Sequence, residues 1–319
     1  MTRVEKAIVA PSVGTKGTVP AMPTPHISVC VCTFKRAELL GMLLHRLDHQ
    51  QTNGLFTYSV IVADNDPAQS ARRTVEGFSY SGRIQITYCF ESKQNIALAR
   101  NKALQHADGD FIAFIDDDEY PTEGWLLNLF RVRAAYEVDG VLGPVKPHFV
   151  QEPPVWAKKG RFFERPTFDT GYRLNWKEAR TGNVLFKRDI LNAVEIPFRS
   201  DYGTGGEDVD FFRRMTERGC VFVWCNEATV YEMLPASRCT RSYLLKRAML
   251  RGSNTSKHPT HKFMNCVKSL IAAPGYALCL PILALFGQHV FLRYLIKFFD
   301  HAGRLLGFIG LNLVRERDM

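Results

Sequence analysis

Residues 111–121 read Phe-Ile-Ala-Phe-Ile-Asp-Asp-Asp-Glu-Tyr-Pro. The first five are apolar, and a short continuous apolar run bounded by polar residues reads as a buried strand. It leads directly into three carboxylates, Asp116, Asp117 and Asp118, with Glu119 next. Like charges this close repel one another, so a buried strand that ends in them needs an explanation. One explanation is a solvated acidic turn capping a helix that begins near Thr122, with Glu123 in its first turn. The other is a site where positive charge normally sits.

The surrounding pattern favours a site. Residues 27–34 (ISVCVCTF), 58–64 (YSVIVAD) and 84–90 (IQITYCF) are β-rich runs, while 38–49 and 97–107 have helical patterns. Strands alternating with helices predict βαβ units, a mostly parallel sheet and right-handed crossovers. Ligands of such sheets bind beyond the carboxyl ends of the strands. Asp64 ends the second strand and Asp116–Asp118 follow the fourth, so both groups are expected on one edge. From about 141 to 200 the pattern loosens around Pro144, Pro147, Pro153 and Pro154, which predicts longer loops shaping the other half of a pocket. Trp156 and Trp176 lie there, either to stack on sugars or, as Trp more often does, to pack. Helices are expected again over 205–219 and 241–252.

Charge separates the C-terminal part from the rest. The net charge is +9, yet residues 1–232 hold 28 basic and 29 acidic side chains. Between Met233 and Phe299 there are ten Lys/Arg and no Asp or Glu. Such a segment suits an anionic partner: a phosphate group, acidic lipid or nucleic acid. Nucleic acid fits least, because the basic residues adjoin apolar helices and no groove-reading motif. Residues 266–287 carry one charge, Lys268, over a length marginally sufficient to span a bilayer, with Pro274, Gly275 and Pro281 as interruptions. After them His289, Arg293, Lys297, Asp300 and Arg304 recur at helical steps among Leu and Phe. That pattern predicts a basic amphipathic helix lying in an anionic membrane surface, or else a helical pair packed on the main domain or on a second copy in a homo-oligomer.

The first 26 residues, rich in Pro, Ala and Thr, are expected to form a mobile tail. The eight cysteines contain no C-x-x-C pair, which suits buried thiols in a reducing compartment.

Three groups of residues have chemistry to offer. Aspartates at a strand end suit a hard divalent cation, Mg2+ or Mn2+, which takes carboxylate, phosphate and water oxygens. In GGEDVDFFRR (205–214), Glu207 and Asp208 fall at a helix N-terminus, where the helix dipole favours them. Asp208 is then a candidate general base, and Asp210 is expected to be a solvated helix residue. Arg247 and Arg251, four residues apart, share one helical face and suit a diphosphate. His258 and His261 are read as part of a basic surface loop.

The ordered set TFKR, VIVADND, NIALARNKAL, FIDDDE, TGNVLFKR and GGEDVDFFRR resembles a family 2 glycosyltransferase over residues 27 to about 252. The wording of VCTFKR, VIVADNDP and FIDDDE is most similar to bacterial exopolysaccharide glucosyltransferases of the succinoglycan-assembly type. The resemblance implies an α/β GT-A fold, a nucleotide-sugar-binding architecture with a mostly parallel central sheet flanked by helices. Residues 253–319 would then form a membrane-associating helical segment. Thr33, Arg36, Asp64 and Arg100 would line the nucleotide pocket, with Asp64 against uracil. Asp116 and Asp118 match the family's DxD, with Asp118 the preferred metal ligand, Asp116 nearer the ribose and sugar, and Asp117 between them. Glu207 and Asp208 match its ED element, and Asn183 would contact a donor-sugar hydroxyl. Arg247 and Arg251 would serve the leaving group. The Q-x-x-R-W element of processive synthases is missing, which implies addition of a single sugar. The implied activity is inverting transfer of one hexose, glucose by the narrower likeness, from a UDP-sugar to a polyprenyl-diphosphate-linked oligosaccharide at the cytoplasmic face of a bacterial membrane. The competing readings are a sugar-1-phosphate nucleotidyltransferase, which would carry a Gly-rich phosphate loop after the first strand, and a non-catalytic membrane-bound scaffold.

Overall fold

The computed structural model describes residues 24–203, 205–257, 262–311 and 313–314. His258, His261 and the tail up to residue 23 lie outside the described residues. The first half alternates as expected: β1 (His26–Thr33), α1 (Ala37–Leu47), β2 (Thr57–Asp64), α2 (Arg72–Ser81), β3 (Ile86–Phe90), α3 (Ile96–Gln105) and β4 (Phe111–Ile115). Strand β1 lies parallel to both β2 and β4, and β2 is parallel to β3. Next come β5 (Glu119–Pro121), α4 (Trp125–Tyr136), β6 (Gly140–Leu142), β7 (Val145–Phe149), α5 (Val155–Gly160), β8 (Asn183–Lys187), α6 (Glu207–Glu217), β9 (Phe222–Trp224) and β10 (Val230–Leu234).

The seven-stranded sheet has the order β3-β2-β1-β4-β8-β6-β9. Only β8 runs against its neighbours, β4 and β6. Its antiparallel direction places Asn183, at its start, beside Ile115, at the end of β4. A second sheet, β5-β10-β7, crosses just beyond the aspartates and pairs Glu232 with Glu119.

The period-two geometry of strands sorts the core into two layers. Val29, Val31, Ala113 and Ile115 face Leu40, Leu43, Leu44 and Leu47 of α1 and Trp125 and Leu129 of α4. Cys30, Ile112 and Phe114 face the opposite way, toward Ala97 and Ala103 of α3 and Phe211, Phe212 and Met215 of α6. A strand covered on both faces has no solvent side, hence the unbroken Phe-Ile-Ala-Phe-Ile run. All eight cysteines are free, and burial pushes the Cys89 thiol up to about 11.

Three helices close the chain: α7 (Arg241–Lys257), α8 (Lys262–Ala284) and α9 (Gln288–Phe308). Residue 252, the expected domain boundary, falls inside α7. Helix α9 is packed against both neighbours and is not laid open as an interfacial helix. Leu292 is buried with Leu244 and Phe163, and Asp300 is buried and accepts from Arg251 and Arg304. Close approach to α7 requires glycine twice: a Cβ on Gly252 would meet the Asp300 carbonyl at 2.0 Å, and one on Gly303 the Met249 carbonyl at 2.2 Å. Helix α8 carries the open apolar surface. Leu270, Ile271, Leu278 and Ile282 are all more than half exposed. Pro274 and Pro281 do not end the helix, although each removes one backbone donor.

Candidate active site

The carboxyl edge of the sheet gathers the predicted residues. Thr33 ends β1, Asp64 ends β2, and the loop after β4 carries Asp116–Asp118. The Thr33 hydroxyl donates to Asp117 Oδ2 at 2.8 Å. Arg36 donates to Asp117 Oδ1 at 2.8 Å and to Asp118 Oδ2 at 3.0 Å. Arg100, buried on α3, pairs with Glu207 at the start of α6 and lies 3.7 Å from Asp116. Its position is set by the Asn95 side chain, which accepts from the amides of Ala97 and Leu98 and so caps α3. Asn101 on the same helix exchanges two hydrogen bonds with Phe198, tying α3 to the segment that leads into α6.

Two further arginines complete the cluster. Arg238, in the turn after β10, donates to the same Asp118 Oδ2 at 2.9 Å and reaches Glu232 at 3.4 Å. Arg165 donates to the other Glu232 oxygen at 2.8 Å. Six carboxylates (Asp116, Asp117, Asp118, Glu119, Glu207 and Glu232) thus adjoin four guanidiniums (Arg36, Arg100, Arg165 and Arg238). Positive charge does occupy the aspartate turn, but its formal balance is short by two.

Burial adds to the strain on the acids. Burial raises the Asp117 carboxyl to about 6, with Arg36 opposing the shift and Asp118 adding to it. Burial, reinforced by Asp116, drives Glu119 far above the usual carboxylate range. Glu119 Oε1 is buried without a hydrogen-bond partner among the described residues. A Cβ on Gly182 would come within 2.9 Å of that oxygen and 3.0 Å of Asp116 Oδ2, so this space exists only because residue 182 is glycine. Burial works against charge on Arg36, yet Asp117 and Asp118 outweigh it and hold the guanidinium above its ordinary range.

The family 2 glycosyl transferase model matches residues 28–194. Succinoglycan biosynthesis protein ExoM of Rhizobium meliloti (strain 1021) is 33% identical over 308 residues, covering 92% of this chain and 96% of that protein. The chain belongs to glycosyl transferase family 2. A mannosyltransferase from Pyrobaculum calidifontis, solved with GDP-Man and Mn2+, superposes with a TM-score of 0.60 at 19% identity. The match covers 88% of this chain and 87% of that one, and it shows the GT-A-like fold. A GalNAc(5)-diNAcBac-PP-undecaprenol beta-1,3-glucosyltransferase from Campylobacter jejuni is 29% identical over 108 residues, 34% of each chain. Membership makes this protein a glycosyltransferase, and sets aside the nucleotidyltransferase and scaffold readings.

Within this glycosyltransferase, Thr33, Arg36, Asp117 and Asp118 form one paired group and Arg100, Asp116 and Glu207 another, and the two meet at the aspartate turn. Asp208 follows Glu207 at the α6 N-terminus, partly exposed, with Oδ1 accepting from the Val209 amide. Asp64 lies on the same edge but is wholly buried. Its oxygens accept from the Asp66 and Ala71 amides and from the Tyr88 hydroxyl, so it shapes the loop after β2. Among the described residues no three His, Cys, Asp or Glu side chains converge as a ready-made metal cage. Asp116 and Asp118 are the pair able to hold a divalent cation that completes its shell with water and substrate phosphate.

Three expectations change, and the two tryptophans take the packing role. Asn183 is not open to a sugar: it is 2% exposed, accepts from Trp125 Nε1, and donates to the Pro144 and Ala228 carbonyls. A buried amide must have its own donors and acceptor satisfied, and here the indole and the two carbonyls do so, which makes it a core tie. Asp210 is not solvated either; it is wholly buried and binds Arg213 and Arg214. Arg251 is engaged by Asp300, although both it and Arg247 remain exposed. Trp156 packs against Phe162 and Arg241, and Trp176 against the α3–α6 core layer. Sequence reading missed Arg165 and Arg238. Arg165 stands in the loosely patterned segment and had no signal, whereas Arg238 is the first cation of the acid-free run.

Replacing Asn183 with Ala strands the Trp125 indole and takes a donor from two buried carbonyls, of which Pro144 keeps the Val230 amide. The expected loss is about 2–5 kcal/mol of folding free energy, read from urea unfolding midpoints. An N183A chain that keeps wild-type stability but loses donor selectivity would restore the sugar-contact role.

Asp117 also gives a sign-definite pH effect. Its native value, about 6, lies above the ordinary 3.8, so the folded state holds the proton longer than the unfolded one. Its contribution is full below about 4, falls as pH rises to about 6, and is level above. In EDTA, wild type should lose stability relative to Asp117→Asn across that window and run parallel to it above pH 6. Unfolding curves that stay parallel throughout would contradict this.

Proposed function

We propose that this glycosyltransferase moves one hexose, glucose in our reading, from a UDP-sugar to a polyprenyl-diphosphate-linked oligosaccharide, with inversion at the anomeric carbon. The observation that carries the reading is the bridge at Arg100. It joins Asp116 to Glu207, and so sets the donor-holding carboxylates and Asp208 at one sheet edge. The glucose and lipid-diphosphate assignments are supported by the PP-undecaprenol glucosyltransferase relative, and the polysaccharide setting by the succinoglycan relative.

Asp208 takes the proton from an acceptor hydroxyl. The freed oxygen forms its bond to the anomeric carbon from the face opposite the diphosphate, and the carbon–oxygen bond to the diphosphate breaks with its electron pair. A donor linked α therefore yields a β product. The α6 dipole favours the charged form of Asp208 before it accepts that proton. Mg2+ or Mn2+ at Asp118 and Asp116 would supply stabilisation of the charge that grows on the departing diphosphate. Arg36 offers a guanidinium at the same place, prearranged by Asp117 and Asp118 before any ligand arrives.

The acceptor reading extends to α8, the one helix among the described residues long and apolar enough to cross a membrane. Only 11% of its apolar stretch is buried, and the segment around it carries the basic excess. Both features suit anchorage to an anionic bilayer, which we place at the cytoplasmic face of a bacterial inner membrane. A lipid-linked diphosphate would be presented there.

Asp208→Asn should cut transfer by about 10^2–10^4-fold while UDP affinity stays near wild type, and NMR of the wild-type product should show a β anomer. Transfer that survives in D208N would remove the base assignment, and an α product would remove inversion. Leu278→Asp with Ile282→Asp should move the chain from sedimenting with phosphatidylglycerol vesicles to the supernatant without changing its melting temperature. Unchanged sedimentation would place the membrane contact elsewhere.

A further inference from the structure

Arg238 is the residue whose position asks most for an explanation. Asp118, the metal ligand that the family resemblance prefers, already has both Arg36 and Arg238 on a single oxygen, Oδ2. Arg36 is shared with Asp117 and fixed at the start of α1, whereas Arg238 comes from the short turn 235–240, between β10 and α7. Its other contact, to Glu232 at 3.4 Å, is long for a charged pair. Glu232 keeps a second and closer arginine, Arg165 at 2.8 Å. Arg238 can therefore leave Asp118 without orphaning Glu232. Asp118 in turn keeps Arg36.

We propose that Arg238 is a displaceable counter-ion: it holds Asp118 in the ligand-free enzyme and swings onto the donor diphosphate when a divalent cation takes its place. The idea rests on the nucleotide-sugar reading above and adds a residue and a sequence of events to it. A guanidinium and a divalent cation compete for the same carboxylate oxygen, so Arg238 must weaken binding of the cation alone. Once phosphate oxygens arrive beside the cation, the guanidinium regains a bidentate anionic partner and strengthens binding of the pair. Donor and cation then bind cooperatively, and loading of one without the other is discouraged. No bond to carbon or phosphorus changes in this step; one ion pair is exchanged for another. The turn bearing Arg238 also leads straight into α7, which packs against α9, so the exchange acts at the junction with the C-terminal helices.

The test uses the full-length chain and two titrations. Free Mn2+ is followed by electron paramagnetic resonance with no nucleotide present, and UDP is titrated calorimetrically at saturating Mn2+. Arg238→Gln should bind Mn2+ alone several-fold more tightly than wild type and bind UDP with Mn2+ about tenfold or more weakly. Arg238→Lys, which keeps the charge without the fork, should fall between on both. Opposite signs are the signature, because a residue that merely props the turn would weaken both. Two weakened affinities, or two unchanged ones in a protein whose wild type binds UDP with Mn2+, would overturn the counter-ion role and leave the nucleotide-sugar reading standing. A wild type that binds no UDP with Mn2+ would overturn that reading and the counter-ion role together.

Discussion

The structure turns on how carboxylates can be crowded at the end of a buried strand. Asp117, Asp118 and Glu119 have little water to stabilise them, and burial of unpaired charge is among the costliest things a fold can do. Guanidiniums from four separate segments converge on the turn. Arg36 precedes α1, Arg100 stands on α3, Arg165 comes from the loop-rich stretch, and Arg238 follows β10. These ion pairs are specific rather than generously stabilising, since desolvation offsets most of their attraction. Their value lies in registration. They require the sheet edge, α6 and the second sheet to meet in one arrangement, which also brings Glu207 and Asp208 to Arg100 and the aspartate turn.

That dependence explains why the chain could be read unevenly. The first four strands and the helices between α1 and α3 are local patterns: apolar runs of strand length, leucines at helical steps, an Asn at a helix start. They were legible, and β4 matched its expected bounds at 111–115. Motif order then identified the family. Helix α2, and the short strands β5, β6, β7, β9 and β10, were not legible. Their stability comes from pairing with segments far away in sequence, as Glu119 does with Glu232.

The misread residues share a physical cause. Asn183 and Asp210 are polar, and polarity in a sequence suggests exposure or chemistry. Both are buried because tertiary structure brings them exact complements, Trp125 and two carbonyls for one and Arg213 with Arg214 for the other. Helix α9 took the packed one of its two expected places. Its basic and apolar faces suit a membrane surface, yet Gly252 and Gly303 allow so close an approach that α7 takes up its buried face, and the bare apolar surface passes to α8. Amphipathicity shows that a helix has a partner, not which partner.

The central claim is that the acid cluster, short of two positive charges, is completed by a divalent cation together with a nucleotide diphosphate. The most direct measurement is calorimetric titration of UDP into the full-length protein, with Mn2+ and again with EDTA. The account predicts saturable binding with Mn2+ that weakens at least about tenfold in EDTA, and that Asp118→Ala abolishes the difference. UDP affinity that is the same with and without the cation would mean that the arginines alone neutralise the site. The charge argument built on Asp116–Glu119 would then be wrong.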